Sequence, residues 1–244
     1  MKRYGLIGFP LAHSFSPRYF SEKFKKESIS ASYELFPLTT LDNFPSLASG
    51  GLDGLNVTAP YKIAIIKYMD RLDPVASAAG AVNTIKLRDG KLIGYNTDVI
   101  GFKNSLKNHP AYEVLVKKAL ILGSGGAARA VNLGLSQLGI SSQTVSRTKE
   151  RAELTYEDLT GDIIQSVGLI INTTPLGMHA DVLAAPALPY ETLTGSQLCY
   201  DLVYNPPMTT FLKLAKSNKA LVMNGYDMLV LQAEASWQIW NQDY

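Results

Sequence analysis

Short apolar runs alternate with amphipathic stretches along almost the whole chain. Buried strands are predicted where apolar residues cluster or alternate, at residues 3–8, 32–38, 54–57, 118–123, 142–145, 167–172 and 197–203. Helical periodicity predicts helices at residues 16–29, 61–72, 97–106, 125–138, 210–216 and 225–240. Asp89-Gly90, between strand-like runs at 83–87 and 91–95, predicts a β-hairpin. Strands that alternate with helices favour parallel sheets, so the pattern predicts an α/β fold.

The helix at residues 16–29 carries a recognisable start signal. Ser16 is expected to be its N-cap and Pro17 its first helical residue, since both residue types are preferred there. Its apolar face would consist of Tyr19, Phe20, Phe24 and Ile29.

The composition is that of a folded globular protein. The chain has 244 residues, 46% hydrophobic and 18% charged, which excludes a disordered chain. Its one cysteine, Cys199, excludes an internal disulfide framework, and a net charge of +2 is too small to indicate nucleic-acid binding. No apolar run reaches the roughly 18 residues of a membrane span. The apolar stretch at 4–12 is broken by Gly5, Gly8 and Pro10, so we expect no signal peptide and a cytoplasmic location.

A glycine-rich motif, GSGGAA at residues 123–128, follows a predicted strand and opens the next helix. In that context a G-x-G-x-x-A pattern indicates dinucleotide binding. Gly123 would allow the tight turn, Gly125 would let the backbone approach a pyrophosphate, and Ala128 would let helix and strand pack closely. The alternative is a structural glycine turn without a ligand. The cofactor-binding residues predicted here are Gly123, Ser124, Gly125, Gly126 and Ala127.

The segment after the second strand of this domain favours NADP over NAD. An NAD site places Asp or Glu at the end of that strand, about 20 residues after the glycine motif, to hold the ribose hydroxyls. Here residues 144–151 read TVSRTKER, with no carboxylate at the strand tip. Arg147, Lys149 and Arg151 could instead bind a 2′-phosphate, which the guanidinium of arginine contacts bidentately. The alternative is a surface turn of solvated cations.

Polar residues also follow several predicted strands. Other catalytic arrangements are absent from the sequence: His13, His109 and His179 lack metal-ligand spacing, and no G-x-S-x-G motif occurs. We therefore expect no bound metal. Open α/β sheets bind ligands at the carboxyl ends of their strands, near which this chain carries Ser14, Ser16, Asn56, Thr58, Lys62, Asn83, Asn96 and Asp98.

These residues lie in motifs that resemble those of the shikimate dehydrogenase family. Each motif alone is ambiguous, but together they are specific, and they extend over nearly the whole chain in the expected order. The motifs are GFPLAHSFSP at 8–17, NVTAPYK at 56–62, GAVNT at 80–84, GYNTD at 94–98, the glycine motif, NTTPLGM at 172–178, YDLVY at 200–204, Asn224-Gly225 and Gln232-Ala233.

The resemblance implies two α/β domains with a cleft between them. It also implies NADP-dependent interconversion of 3-dehydroshikimate and shikimate in aromatic amino-acid biosynthesis. We expect residues 1–101 to form the substrate-binding catalytic domain and residues 102–225 a Rossmann-like NADP-binding domain. The C-terminal helix, residues 226–244, is expected to pack back on the first domain. Small molecules are the expected partners, without nucleic acid or membrane, and the protein is expected to be a monomer or homodimer.

The resemblance further assigns roles to individual residues. Lys62 and Asp98 are the expected catalytic pair, and Ser14 and Ser16 would bind the substrate carboxylate. The other substrate-binding residues, besides that pair, would be Thr58, Asn83, Tyr204 and Gln232. Beyond the glycine loop, the cofactor would contact Ser146, Arg147, Thr148, Arg151, Thr173, Leu202 and Gly225. Without the family motifs, the simpler interpretations are a helix cap for Ser16 and a solvated side chain for Lys62.

Two departures and two alternatives accompany this interpretation. Many relatives carry Asn-Arg-Thr where this chain has Ser146-Arg147-Thr148, and the chain is somewhat shorter than is usual for the family. A quinate/shikimate dehydrogenase of broader specificity would carry the same motifs. The second alternative is not an enzyme but a non-catalytic sensor that binds NADP or a metabolite. Such a sensor has no need to keep Lys62 and Asp98.

Overall fold

The computed structural model describes residues 1–12, 14–115, 117–178 and 181–242. Two histidines of the sequence analysis, His13 and His179, and residues 243–244 of the predicted C-terminal helix lie outside these ranges. The chain divides into two compact units, Met1–Asp98 with Gln232–Tyr244, and Val99–Leu231. These divisions fall a few residues from the predicted boundaries at residues 101 and 225. Within the described ranges, no helix is both long and apolar enough to cross a membrane.

The first unit is built on a six-stranded mixed sheet. Its strands are β1 (Lys2–Gly8), β2 (Ala31–Pro37), β3 (Gly54–Val57), β4 (Arg71–Leu72), β5 (Thr84–Arg88) and β6 (Lys91–Tyr95), and its helices are α1 (Ser16–Lys26), α2 (Phe44–Ala48) and α3 (Pro74–Ala79). The strand order is β2-β1-β3-β5-β6-β4. β5 runs antiparallel to β3 and β6, while the other pairs are parallel.

The alternation of strands and helices predicts parallel sheets, but this sheet is mixed. The predicted hairpin is the reason. Asp89 and Gly90 both have positive φ, of 50° and 72°. A two-residue turn of this kind matches the twist of antiparallel strands and returns the chain directly beside β5. The hairpin prediction is therefore confirmed, and the expectation of parallel strands is wrong at this position.

The second unit is built on a six-stranded parallel sheet. Its strands are β7 (Lys118–Leu122), β8 (Ser141–Ser146), β9 (Leu154–Thr155), β10 (Leu169–Asn172), β11 (Leu198–Asp201) and β12 (Leu221–Met223), and the remaining helices are α4 (Asp98–Lys107), α5 (Tyr112–Leu115), α6 (Gly126–Gln137), α7 (Gly161–Gln165), α8 (Thr210–Ser217) and α9 (Tyr226–Asn241). The order β12-β11-β10-β7-β8-β9, with every pair parallel, is that of a Rossmann fold. The predicted two-unit α/β class is confirmed.

Apolar side chains cover both faces of each sheet. In the second unit, Ala119 and Ile121 of β7 pack with α4 and α6, while Leu120 and Leu122 pack with α7 and α8. This alternation is the period of two that a strand imposes. In the first unit, Tyr4 and Ile7 of β1 lie three residues apart, on opposite faces, and belong to separate clusters. The Ile7 cluster includes Phe44, Leu55, Val57, Ile65 and Ile85, and the Tyr4 cluster includes Phe20, Phe24, Ala233 and Trp240.

The helix predicted at residues 61–72 is wrong. This segment forms a 3-10 helix, Ala64–Tyr68, followed by the short strand β4. Three β-branched isoleucines crowd the segment and disfavour an α-helix. The backbone N–H of Asp70 also donates to the carbonyl oxygen of Leu92 at 2.9 Å, which draws the chain to the sheet beside β6.

The start of α1 also differs from the prediction. The helix begins at Ser16 itself, with Pro17 in its second position, and no side chain of the described residues caps its N-terminus. The expected N-cap role of Ser16 is therefore wrong. Its side chain lies near the phenol of Tyr33 and lowers the pKa of that phenol, against the larger raising effect of burial. The predicted apolar face is confirmed, since Phe20 and Phe24 are buried.

Gly54 of β3 provides a test of how closely α9 packs on the first sheet. A Cβ atom at Gly54 would lie 2.3 Å from Nε1 of Trp240. The indole is held in place, because it stacks on Tyr4 at 4.6 Å and donates a 3.0 Å hydrogen bond to the carbonyl of Ile85. We expect Gly54→Ala to lower the free energy of unfolding by about 1–3 kcal/mol, the usual cost of overpacking, in urea denaturation.

Gly195→Ala is the matched control for this prediction. A Cβ at Gly195 would meet only the carbonyl oxygen of Lys219, at 3.8 Å. Its unfolding free energy should stay within about 0.5 kcal/mol of the parent. Equal losses in the two variants would show that contact with the indole is not the cause.

Candidate functional site

Lys62 and Asp98 form an ion pair in the first unit. Nζ of Lys62 lies 2.6 Å from Oδ2 of Asp98, and the two side chains are 19% and 6% exposed. Lys62 follows β3, just before the 3-10 helix, and Asp98 is the first residue of α4. A carboxylate in the first turn of a helix is stabilised by the helix dipole. The ammonium group has three donors, so the ion pair leaves donors for another acceptor.

Asn83 holds the carboxylate of this pair. Its Nδ2 donates to Oδ1 of Asp98 at 2.8 Å and to the hydroxyl of Thr97 at 2.9 Å. Its Oδ1 accepts the backbone N–H of Thr97 at 2.7 Å. Both oxygens of Asp98 are therefore engaged, one by Lys62 and one by Asn83, so the carboxylate has a fixed orientation.

Gln232 reaches the same group of side chains from α9, near the other end of the chain. Its Oε1 lies 3.4 Å from Nδ2 of Asn83 and 3.5 Å from the hydroxyl of Thr97, and the residue is buried. The structure thus brings four of the predicted substrate-binding residues together: Lys62, Asn83, Asp98 and Gln232.

Three further predicted substrate residues follow β1 and β3, which are parallel neighbours. The Ser14 hydroxyl donates to the carbonyl of Leu11 at 2.8 Å, and Ser16 lies near the phenol of Tyr33. Thr58 is half-buried directly after β3. Among the described residues, no direct hydrogen bond links these three to Lys62 or Asp98.

Sequence reasoning missed several members of the polar network beneath this group. The phenol of Tyr33 donates to Oδ1 of Asn56 at 2.7 Å, and burial raises the pKa of that phenol. Thr84, Thr97 and Ser236 form further buried hydrogen bonds. A signal was present for Ser236, because it lies four residues after Gln232 and so shares its face of α9.

In the second unit, the glycine motif forms the turn between β7 and α6. Gly123 has a φ of 112°, and a Cβ there would lie 2.6 Å from the hydroxyl oxygen of Thr173, which follows β10. β7 and β10 flank the point where the strand order reverses, and ligands of such sheets bind there. Gly125 is the N-cap residue of α6, and a Cβ at Gly125 would meet open space. The loop therefore leaves room for a ligand beside the helix N-terminus, whose first N–H groups lack intrahelical partners.

The end of β8 lies beside this loop and is basic. The hydroxyls of Ser124 and Ser146 are 3.4 Å apart. Of the predicted cations, Lys149 pairs with Asp158 at 3.6 Å, while Arg147 and Arg151 are exposed and make no ion pair in the described part of the chain. The arginines are thus the side chains available to a phosphate. Gly126 and Ala127 are the first residues of α6, and Thr148 directly follows Arg147.

The remaining predicted cofactor residues lie after β11 and β12. A Cβ at Gly225 would lie 2.2 Å from the carbonyl oxygen of Leu202, so this close approach requires glycine. Tyr204 belongs to the second unit and is half-buried, and this burial raises its pKa. The open cradle at Gly125, the exposed arginines and the reversal of strand order together fit a dinucleotide with a 2′-phosphate. In the described ranges, no group of three or more histidine, cysteine or acidic side chains could hold a metal ion.

A buried carboxylate, Asp201, ties the loops after β10 and β11 together. It accepts hydrogen bonds from Thr209 Oγ1 at 2.5 Å, Asn172 Nδ2 at 2.9 Å and the N–H of Val203 at 3.0 Å. Burial raises its pKa to about 6, against the lowering effect of these donors. Asn172 in turn accepts from the N–H and hydroxyl of Thr174. Asp201 therefore fixes the loop that carries the neighbouring Thr173.

Comparison with known proteins identifies the relatives of this chain. Residues 6–85 match the family model described as the shikimate dehydrogenase substrate binding domain. The chain is 38% identical to the shikimate dehydrogenase (NADP(+)) of Halothermothrix orenii, over 97% of this chain and 89% of that protein.

Two solved structures give the same fold. Shikimate 5-dehydrogenase from Thermus thermophilus, in complex with NADP(H) and shikimate, has a TM-score of 0.87 and 33% identity, covering 99% of this chain and 94% of that one. Quinate dehydrogenase from Corynebacterium glutamicum, in complex with NAD, also has a TM-score of 0.87, with 25% identity over 98% and 93% of the two chains.

Asp201 predicts a specific pH dependence of stability. Its folded pKa of about 6 exceeds the ordinary value of 3.8, so between these pH values the folded protein binds more protons there than the unfolded chain. The contribution of this carboxylate to stability therefore falls as pH rises through that window. The free energy of unfolding of Asp201→Asn minus that of the parent should rise by roughly 2–3 kcal/mol from pH 4 to pH 7. Denaturant titrations at several pH values measure this difference, and a flat profile would contradict it.

Proposed function

The chain belongs to the shikimate dehydrogenase family, and from this premise we propose that it catalyses the reversible, NADP-dependent reduction of 3-dehydroshikimate to shikimate. The family predicted from the motifs is confirmed, and the protein is an oxidoreductase. The observation that carries the proposal is the Lys62–Asp98 ion pair, held by Asn83 beside Gln232. A charged donor surrounded by fixed amide and carboxylate groups suits a ring that carries several hydroxyls.

The cofactor in this proposal is NADP. When bound, it supplies the hydride of the reaction. Backbone N–H groups at Gly125 and Gly126 would hold the pyrophosphate at the start of α6. Arg147 and Arg151 would hold the 2′-phosphate. The remainder of the pocket would consist of Gly123, Ser124, Ala127, Ser146, Thr148, Thr173, Leu202 and Gly225.

The substrate would be held by the polar residues of the first unit. Ser14 and Ser16 would bind the carboxylate. The ring hydroxyls would contact Asn83, Asp98 and Gln232, together with Thr58 and, from the second unit, Tyr204. Because the amides and the carboxylate are already fixed by one another, little side-chain ordering remains to oppose binding.

Lys62 would act on the reacting oxygen of the substrate. Negative charge develops on that oxygen as the ketone is reduced, and a positioned ammonium group stabilises it. Asp98 holds the ammonium in place through the 2.6 Å ion pair. The donors left on Lys62 by the ion pair are the ones that would reach the substrate.

Quinate is a second candidate substrate. The structural likeness to a quinate dehydrogenase favours testing it, because quinate differs from shikimate by an extra ring hydroxyl. A place in aromatic amino-acid biosynthesis and a cytoplasmic location belong to the same proposal, since shikimate and NADPH are intracellular metabolites.

The reaction is tested by mixing purified protein with shikimate and NADP and following NADPH absorbance. We expect turnover with NADP to exceed turnover with NAD, because Arg147 and Arg151 replace the carboxylate of an NAD site. Arg147→Ala should raise KM for NADP by about ten- to hundredfold, the worth of one charge-assisted hydrogen bond. KM for NAD should stay within about twofold, since NAD lacks the phosphate.

Lys213→Ala, which removes an exposed cation of α8, is the control for Arg147→Ala. Equal losses with both cofactors would rule out a phosphate contact at Arg147.

Quinate turnover equal to that of shikimate would identify the broader enzyme. Cofactor binding without turnover of either substrate would support the sensor.

The role of Lys62 is tested by substitution. If the ammonium acts mainly on the transition state, Lys62→Ala should lower kcat by about 10²- to 10⁴-fold. KM for shikimate should change by less than about tenfold, since the serines and amides still hold the ring. Lys62→Arg keeps the charge but gives up no proton. Its partial rescue would therefore indicate charge stabilisation, and its failure to rescue would indicate proton transfer.

Lys67→Ala is the matched control for Lys62→Ala. Lys67 lies five residues on, in the 3-10 helix, and its Nζ lies 5.0 Å from the centre of the Tyr68 ring. Its removal should leave kcat within about twofold of the parent. A near-normal kcat in Lys62→Ala would contradict the proposed mechanism.

A further inference from the structure

A ladder of hydrogen bonds fastens α9 to the start of β5. Four consecutive residues at and before this strand each contact a residue of the helix. The contacts are Asn83 with Gln232 at 3.4 Å, Thr84 with Ser236 at 2.8 Å, the Ile85 carbonyl with Trp240 Nε1 at 3.0 Å, and Lys86 Nζ with the Ile239 carbonyl at 2.9 Å. The register of the helix along the strand is therefore set by polar contacts as well as by packing.

Ser236 is the most connected member of this ladder. Its side chain is fully buried, and its hydroxyl contacts the hydroxyls of Thr84 and Thr97 at 2.8 and 3.1 Å, Nδ2 of Asn56 at 3.0 Å and the carbonyl of Gln232 at 2.9 Å. It therefore joins the middle of α9 to β3, to the start of β5 and to the turn after β6.

The protons of this cluster can be assigned from its chemistry. The Gln232 carbonyl only accepts, so Ser236 donates to it; the amide nitrogen of Asn56 only donates, so Ser236 accepts from it. The second lone pair of Ser236 accepts the Thr84 hydroxyl, at the shorter of the two threonine distances. The Thr97 hydroxyl then remains for Oδ1 of Asn83 or Oε1 of Gln232, at 3.2 and 3.5 Å.

We infer that Ser236 is a positioning residue for substrate binding, because it sets where Gln232 and Asn83 present their amides. This inference rests on the proposed function. Ser236 touches neither Lys62 nor Asp98 in any hydrogen bond between described residues. Ser236 acts through its hydrogen-bond partners. It fixes the backbone carbonyl of Gln232, one helical turn away. It also directs the Thr97 hydroxyl proton toward the side-chain amides of Asn83 and Gln232.

Removing the hydroxyl takes an acceptor from two buried donors. Asn56 Nδ2 keeps the Asn83 carbonyl and the Thr84 hydroxyl, each at 3.3 Å, whereas Thr84 loses the nearest of its partners. Buried donors do not stay unpaired, so the Thr84 hydroxyl should turn to Oδ1 of Asn83, which lies 3.1 Å away. That oxygen already accepts from Thr97, and the amide of Asn83 would be displaced. The expected defect is therefore in the amides that contact the ring, before any defect in the Lys62 ammonium.

The test compares Ser236→Ala, Thr84→Val and the double variant with the parent enzyme. Thr84→Val keeps the shape and strand preference of threonine, and it serves if Ser236→Ala does not fold. Each single variant should raise KM for shikimate by about five- to tenfold, with kcat and KM for NADP within about threefold. The double variant should resemble the single variants instead of multiplying their effects, because both remove the same contact.

Trp240→Phe is the matched control on the same helix. It removes one buried hydrogen bond, to the Ile85 carbonyl, one further turn away from Gln232. Its Tm should fall at least as much as that of Ser236→Ala, because the indole also stacks on Tyr4, while KM for shikimate stays within about twofold. Parent-like KM values for shikimate in both Ser236→Ala and Thr84→Val would overturn the inference about Ser236. A rise in this KM in Trp240→Phe as large as that in Ser236→Ala would also overturn it. Neither result would affect the proposed function. A parent protein that does not oxidise shikimate would overturn the proposed function and this inference with it.

Discussion

The first unit depends on keeping a lysine and a carboxylate paired where little water reaches them. Removing two charges from water is costly unless each is paired and its remaining hydrogen-bonding capacity is used. At Asp98 this requirement is met by Lys62 on one oxygen, Asn83 on the other and the N-terminus of α4. These partners come from the end of β3, from the start of the hairpin and from the first turn of a helix. The sheet of the first unit thus brings these ends to one place.

A comparable constraint applies in the second unit, with a different chemical solution. Asp201 is buried, has no cationic partner among the residues that the structure describes, and relies on three neutral donors. Its neighbours tie the turn after β10 to the end of β11. Thr173, in that turn, holds the carbonyl of Leu122 at 2.7 Å, next to Gly123. In both units, a buried carboxylate at strand ends holds the loops that a ligand would meet.

The sequence predicted the local features of this architecture well and its long-range features only in part. Residues 54–57 were predicted as a strand and form β3, and the Asp89-Gly90 hairpin was predicted from turn chemistry alone. The helix prediction for residues 61–72 was wrong, although the apolar spacing there suits a helix. The β-branched residues of this segment and its hydrogen bond to the neighbouring strand disfavour an α-helix. Gln232 could be linked to Asn83, 149 residues earlier, only through the family resemblance. The spacing of Ser236, four residues after Gln232, indicates only that the two share a face of α9. The hydrogen bonds of Ser236 and Tyr33 could not be predicted, because the role of a buried hydroxyl depends on partners that only the fold brings together.

We propose above all that the ammonium group of Lys62, held by Asp98, contacts the oxygen on the ring carbon that gains or loses the hydride. The most direct measurement is the distance between these two atoms in a crystal structure of the protein with shikimate and NADP bound. We expect Nζ of Lys62 to lie within about 3.2 Å of the reacting hydroxyl oxygen, with the Asp98 contact retained. A separation beyond about 5 Å, with no bridging water, would contradict it.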